Sequence, residues 1–433
     1  MTNYVLTICE AVREAGGRAM LVGGLVRDLL LGIESKDIDL EVYYLEPTRL
    51  RDVLQSLAPV NTVGEQFAVY KVAFYEPAGD AGIPEQRIEI DVSMPRRESK
   101  SGRGHRGFVI NGDPFMSFKE AARRRDFTIN AIMKDPLTDE IVDPFSGVKD
   151  LQNKILRAVA ADTFIEDSLR VLRAMQMAAR FEMQIAPQTI ELCRTIDLSD
   201  LPHERIWGEF EKLLLRAEQP SIGLQTALEL RILEKLLPDL QTLATAPELF
   251  AQTGGRLDEI AALAGDLAKE KRLTLMLAAL CQDLPDEAAV LRVLETVGVF
   301  TVEGYKVREQ TLSLVREHAR PQQFFANREQ TSDGDFRRLA RLVDMNLLYR
   351  LAKAAALACR QSPEAAEWFI RRTRALNVEE GAPAPLLLGR HLLDLGVKPG
   401  REMGEVLRRV YELQLDGTVT TLEEAIAAAR TVM

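Results

Sequence analysis

The hydrophobic pattern changes period along the chain. In the first 150 residues or so, short apolar runs alternate with polar positions and are cut by glycines. RAMLVGG (residues 18–24) reads as a buried strand ending in a glycine pair, and LVRDLLLG (25–32) as a short helix closed by Gly32. DIDLEVYYL (37–45), FAVYKVAFY (67–75) and RIEIDVSM (87–94) alternate as strands. After residue 150 apolar residues recur at i, i+3 and i+4, as in EDSLRVLRAMQMAARF (166–181), ERIWGEFEKLLLRA (204–217) and GEVLRRVYELQL (404–415). The pattern predicts an α+β head over residues 1–150 followed by an all-α remainder. We divide that remainder into a neck (151–215), a body (216–320) and a tail (321–433).

Composition narrows the class. The 433 residues are 46% hydrophobic and 28% charged, values of a soluble globular protein large enough for several cores. No stretch approaches the roughly 20 apolar residues that cross a bilayer. The opening MTNYVLTICEAVREAGG carries acids early and reads as an amphipathic helix rather than a signal peptide. Cys9, Cys193, Cys281 and Cys359 form no CxxC pair, so neither a disulfide framework nor a zinc cluster is expected. A cytoplasmic protein without a membrane partner is the plain expectation. The net charge is −10, yet Arg96 to Arg125 holds nine Lys or Arg against Glu98, Asp113 and Glu120. Phosphate binding depends on such local charge rather than on the global sum.

The strand DIDLEV carries the candidate chemistry. Asp37, Asp39 and Glu41 share one face, and Ile38, Leu40 and Val42 the other. Packing the apolar side leaves adjacent carboxylates, which repel unless a cation lies between them. Mg²⁺ suits them, since it takes one or two carboxylates with substrate phosphates and water. Two such ions can activate an attacking hydroxyl and stabilise a leaving oxygen. Just upstream, Gly23 and Gly24 end a strand and open a helix, which lets backbone N–H groups approach a triphosphate.

The run GGLVRDLLLG…DIDLE, with thirteen residues from Gly24 to Asp37, resembles the signature of polymerase-beta-like nucleotidyltransferases. The likeness is to class II tRNA nucleotidyltransferases (CCA-adding enzymes) and bacterial poly(A) polymerases. It continues through RRRDFTINAI (123–132), DPFSGVKDL (143–151) and EDSLRVLRA (166–174), and so covers about residues 20–180. It implies Asp37 and Asp39 as metal-binding catalytic residues, with a third carboxylate on a neighbouring strand. Both Glu89 and Asp91 are available there, and we favour Asp91, five residues before Arg96. It also implies that Gly23, Gly24, Arg27, Arg124, Arg125, Asp126 and Asn130 seat nucleotide, and that Arg173 supports base recognition. Phe127, Ile129 and Ile132 read as core. Two positions depart from the pattern: Ser146 stands where DPFGG has glycine, and Gln176 where arginine is common. ERIWGEFEKLL (204–214) reads as a helix-stabilising element.

EDxxR has its own logic. Asp167 and Glu166 lie three and four residues before Arg170, spacings that share a helix face. A carboxylate accepts and a guanidinium donates. Cytosine and adenine each pair an exocyclic amine with a ring-nitrogen acceptor, which Asp167 and Arg170 complement, whereas uracil and guanine present the reverse.

The resemblance implies template-independent addition of CCA to the tRNA 3′ end from CTP and ATP, with the helical part, ending in LGVKPGREMGEVLRRVYELQLDG, gripping acceptor stem and elbow and no role for DNA. The segment RRESKSGRGHRGFVINGDP (96–114) resembles the flexible loop of full CCA-adding members, which favours that activity over CC-only or A-only addition. VGEQFAVYKV, acidic at Glu65, lacks the basic block of the poly(A) branch. The body resembles an HD phosphohydrolase region in degenerate form, because LAALCQDLPDE has Gln282 where a metal-binding histidine stands. The remaining alternative is an RNA-binding protein with an inactive head.

Overall fold

The computed structural model describes residues 3–34, 37–62, 69–76, 86–100, 108–298 and 301–433. Two compact units emerge, residues 1–202 with 229–232, and residues 203–228 with 233–433.

In the first unit the alternation of the strands sorts side chains to the two faces of one sheet. Its order is β3 (Val60–Thr62), β4 (Val69–Glu76), β5 (Gln86–Ser93), β2 (Ile38–Tyr43), β1 (Arg18–Leu21), β8 (Met133–Lys134) and β9 (Ile141–Val142). Among the described residues of this sheet, only β2 and β5 pair in parallel. Ala19, Leu21, Leu40, Val42, Tyr70, Val72, Ile90 and Val92 form one core with α1 (Asn3–Glu14) and α3 (Pro47–Leu57). Each large aliphatic side chain buried there contributes roughly 1.5–3 kcal/mol. On the opposite face Met20, Tyr43 and Met133 pack with Met116 and with Ala121 and Ala122 of α4 (Phe118–Arg123). That second cluster covers only part of the face, and Asp39, Lys71 and Asp91 lie outside it.

This arrangement corrects the expectation of an open acidic strand face. Asp37 and Asp39 remain at the uncovered end, but Glu41 is fully buried. At its end, Arg123 to Arg125, the basic run is likewise not a simple solvated face. Arg123 pairs with Asp162 at 2.6 Å, and Arg124 and Arg125 turn toward Glu41. Within the basic segment 96–114, β6 (Arg96–Lys100) pairs antiparallel with β7 (Phe108–Gly112) from Arg96↔Gly112 to Lys100↔Phe108. Residues 101–107, with Arg103, His105 and Arg106, lie outside the described residues, as do residues 63–68 with Glu65.

The second unit is built of helices, among them His203–Arg216, Pro247–Leu263, Lys269–Cys281 and Arg401–Leu415. The segments read as ERIWGEFEKLLLRA and GEVLRRVYELQL fall in the first and last of these. Among the described residues no helix is long and apolar enough to cross a membrane.

Candidate active site

The site begins at the turn between β1 and α2 (Gly24–Leu31). Gly23 caps the helix at φ 71°, ψ −141°, a backbone that side chains rarely adopt. A Cβ there would make only ordinary contacts, 3.4 Å from Arg125 Nη1 and 3.9 Å from an Asp39 carboxylate oxygen, so it is the backbone conformation that calls for glycine. Gly32 closes the helix at φ 72°.

Across the sheet, register sets three charged residues level. Asp39 is the partner of Asp91 in the β2–β5 pair, and Asp91 is the partner of Lys71 in the β5–β4 pair. Directly paired residues share a face at about 4.5–5.5 Å between Cβ atoms. Lys71 Nζ lies 3.3 Å from Asp91 and 2.9 Å from Glu89, which also pairs with Arg87 at 3.0 Å. Asp91, not Glu89, is level with Asp39; Glu89 faces Ala73. Asp37 directly precedes β2. Burial raises the pKa of the Asp39 carboxyl; Asp91 and Asp37 raise it further, against the pull of Arg125 and Lys71. Such a carboxylate gains from a cation. Among the described residues no cluster of three or more His, Cys, Asp or Glu side chains is assembled to hold a metal ion. Two carboxylates beside a glycine turn that opens a helix nevertheless fit Mg²⁺, whose other ligands are phosphate and water.

Glu41, two residues beyond Asp39 on the same face, anchors the paired arginines. Its carboxylate accepts from Tyr43 Oη at 2.7 Å and from Arg124 Nη2 at 2.5 Å, with Arg125 Nη2 at 3.6 Å. Burial alone would raise its pKa, but Arg125, Arg124 and the Tyr43 hydroxyl outweigh burial and hold it below the usual range. Arg125 therefore stands between buried Glu41 and Asp39, beside Gly23.

Asp126 joins the glycine turn to the helix α7 (Leu169–Arg180). One oxygen accepts from Phe127 N–H at 2.8 Å and Asn130 Nδ2 at 2.9 Å, and the other from Arg173 Nε at 2.7 Å. Asn130 Oδ1 accepts from Arg27 Nη1 at 2.7 Å. Arg27 is almost wholly buried, bound to Asp28 and stacked 4.3 Å over the Phe181 ring. The relay Arg27–Asn130–Asp126–Arg173 thus runs through side chains expected to touch nucleotide, and Asp126 and Asn130 are themselves buried.

The DPFSGVKDL motif supports this relay. Asp143 accepts from the N–H groups of Gly147 (2.7 Å) and Val148 (2.9 Å), opening α5 (Gly147–Gln152). Gly147 presses on the 3-10 turn Thr128–Asn130, where a Cβ would meet the Thr128 carbonyl oxygen at 2.0 Å. Ser146 is held at φ 59°, which explains why glycine suits that position. Phe127, Ile129 and Ile132 are fully buried, as read.

Asp167 and Arg170 flank the start of α7, Asp167 before its first residue and Arg170 within its first turn. The helix begins at Leu169, because the Asp167 carboxylate accepts the Leu169 N–H at 3.2 Å and turns the chain before it. Glu166 precedes it as well. Arg170 donates to the carbonyls of Thr163 and Arg124, both at 2.6 Å, which fixes its guanidinium plane.

Two members of this arrangement were not singled out in the sequence, Lys71 and the role of Glu41. Lys71 had a signal, the one charge within the apolar run FAVYKVAFY. Glu41 had none, since its arginine partners lie 83 and 84 residues away. In the helical unit Gln282 caps the helix Lys269–Cys281, and Asp283 accepts from buried Arg256.

Comparison with known proteins places these features. Residues 19–157 match the poly A polymerase head domain, and residues 182–243 the probable RNA and SrmB-binding site of polymerase A. The multifunctional CCA protein of Xylella fastidiosa (strain 9a5c) is 36% identical over 279 residues, 62% of either chain. Its counterpart in Xanthomonas campestris pv. campestris (strain B100) is 37% identical over 276 residues, 61% of this chain and 62% of that one. The alignments thus span about three-fifths of these relatives' length. The CCA-adding enzyme of Bacillus stearothermophilus in complex with CTP superposes with a TM-score of 0.71 at 21% identity, covering 100% of this chain and 99% of that one. The Thermotoga maritima CCA-adding enzyme complexed with tRNA gives 0.65 at 19% identity, covering 100% and 96%. The fold is therefore a nucleotidyltransferase head with a mixed sheet, followed by a helical body.

Proposed function

We propose that this chain is a class II tRNA nucleotidyltransferase, which adds CCA to the 3′ end of tRNA from CTP and ATP. The observation that carries the proposal is the level pair Asp39–Asp91 beside the Gly23 turn and Arg125. The relatives' names and the complexes with CTP and tRNA support the choice of substrate.

In this reading the triphosphate lies on the N–H groups of the Gly23–Gly24 turn, with Arg125 and Arg124 held over it by Glu41. Magnesium ions, held by Asp37, Asp39 and Asp91, would supply charge neutralisation at the reacting phosphate and a more acidic attacking hydroxyl. The 3′-hydroxyl releases its proton to solvent as its oxygen bonds to the α-phosphorus, the bond from that phosphorus to the oxygen bridging to the β-phosphate breaks, and pyrophosphate leaves toward Arg125. Asp167 accepts from the exocyclic amine of cytosine or adenine and Arg170 donates to the ring nitrogen. Arg173, Asp126, Asn130 and Arg27 keep the base-reading and phosphate-binding ends in fixed relation. The helical body and tail take the acceptor stem and elbow.

The test is gel analysis of labelled tRNA transcripts ending in the discriminator base, –C, –CC and –CCA, with CTP and ATP singly and together. Growth of the first by three residues, then arrest, is the expected result. Arrest after two, extension of –CC alone, or a long A ladder would replace the proposal by the CC-adding, A-adding or poly(A) reading. Asp37→Ala with Asp39→Ala should abolish incorporation, and retained incorporation would exclude these carboxylates from catalysis.

A further inference from the structure

The row of charge across the sheet runs from Arg125 and the Gly23 turn through Asp39 and Asp91 and ends on a residue that the reaction scheme leaves without a role, Lys71. Its side chain is 38% exposed, and its ammonium is shared between Asp91 and Glu89.

In-line displacement puts the attacking and leaving oxygens on opposite sides of the phosphorus. With the leaving pyrophosphate at Gly23 and Arg125, the attacking hydroxyl must come from the other side of the Asp39–Asp91 pair. That side is the β4 edge of the row, two strand spacings of about 4.8 Å each from Asp39. A lysine there, on a flexible four-carbon stem, is a mobile point charge suited to phosphate. The ammonium also lies where a divalent cation bound to Asp91 would repel it. Leaving Asp91 does not strand Glu89, because Arg87 still pairs with that carboxylate at 3.0 Å.

We infer that Lys71 is an acceptor-side binding residue, whose ammonium moves from Asp91 to the 3′-terminal phosphodiester of the RNA when a divalent cation takes Asp91. This inference rests on the nucleotidyl-transfer reading above. Metal binding and RNA binding are then coupled through one side chain: Lys71 contributes nothing to RNA affinity while it is parked on the carboxylates.

The test is direct binding of a fluorescent tRNA transcript ending in –CC, without nucleotide, in Mg²⁺ and in EDTA. Lys71→Gln should weaken binding about fivefold in Mg²⁺ and reduce the slope of log affinity against log salt by about 0.7. It should leave binding in EDTA and the KM for CTP unchanged. Lys71→Arg, which keeps the charge, should restore most of the affinity. Equal losses with and without metal, no loss in Mg²⁺, or a rise in the KM for CTP instead would each overturn the inference while wild-type incorporation leaves the enzyme reading standing. A wild type that incorporates no nucleotide overturns both.

Discussion

Asp126 shows how one buried residue fixes several others. Its carboxylate only accepts, and it meets three donors, the Phe127 N–H, Asn130 Nδ2 and the Arg173 guanidinium. Asp126→Asn keeps the volume but turns an N–H toward a donor, so a loss of about 1–3 kcal/mol is expected in denaturant unfolding at pH 7. Burial alone would raise this carboxyl's pKa; Arg173, Asn130 and the Phe127 N–H outweigh it and hold the pKa below the ordinary value. A depressed carboxylate stabilises the fold above its unfolded pKa and loses that contribution as pH falls through the folded value. The gap between wild type and Asp126→Asn should therefore be full at neutral pH and narrow only below about pH 4. A gap that does not narrow in acid would show that the carboxylate's charge is not what stabilises the fold.

At the scale of elements, what the sequence made legible was periodicity. The strands at DIDLEV, YKVAFY and IEIDV and the helix closed at Gly32 follow from alternation, i+3/i+4 spacing and a left-handed cap. The start of α7 was misplaced because one side-chain hydrogen bond, Asp167 to the Leu169 N–H, ends the preceding turn, and such a bond leaves no periodic trace. The DPFSGVKDL motif was visible as a pattern but not as a buttress. Two substitutions separate its parts. Gly147→Ala puts a methyl group 2.0 Å from the Thr128 carbonyl, so the turn bearing Asn130 must shift. It should destabilise the head by about 1–3 kcal/mol and raise the KM for CTP in folded protein. Ser146→Gly relieves a backbone at φ 59° and should stabilise by up to about 1 kcal/mol without changing that KM. If Gly147→Ala left both melting and KM untouched, the motif would not support the site.

For the whole molecule, legibility stopped at partnerships between distant residues. The excess of basic residues between Arg96 and Arg125 was visible in the sequence, but the burial of part of it against Glu41 arises only when the sheet is assembled. Likewise Gln282 stands out in the sequence for the histidine it replaces, whereas the fold supplies its neighbour Asp283 with a cation of its own. Arg256, 2% exposed, donates to Asp283, to the Ala279 carbonyl at 3.1 Å and to Thr253 at 3.3 Å. Removing one partner of a buried pair leaves an uncompensated charge and costs about 3–5 kcal/mol. Asp283→Ala should thus lower the thermal midpoint while folded protein at low temperature retains its Mg²⁺-dependent nucleotide incorporation, and Asp283→Asn should fall between. If Asp283 instead served as a metal ligand, the variant would keep the wild-type melt and lose divalent-dependent hydrolysis of a phosphomonoester. That pattern would make Arg256 incidental; a lowered melt with no hydrolytic activity in either protein makes the arginine the resident cation of this place in the fold.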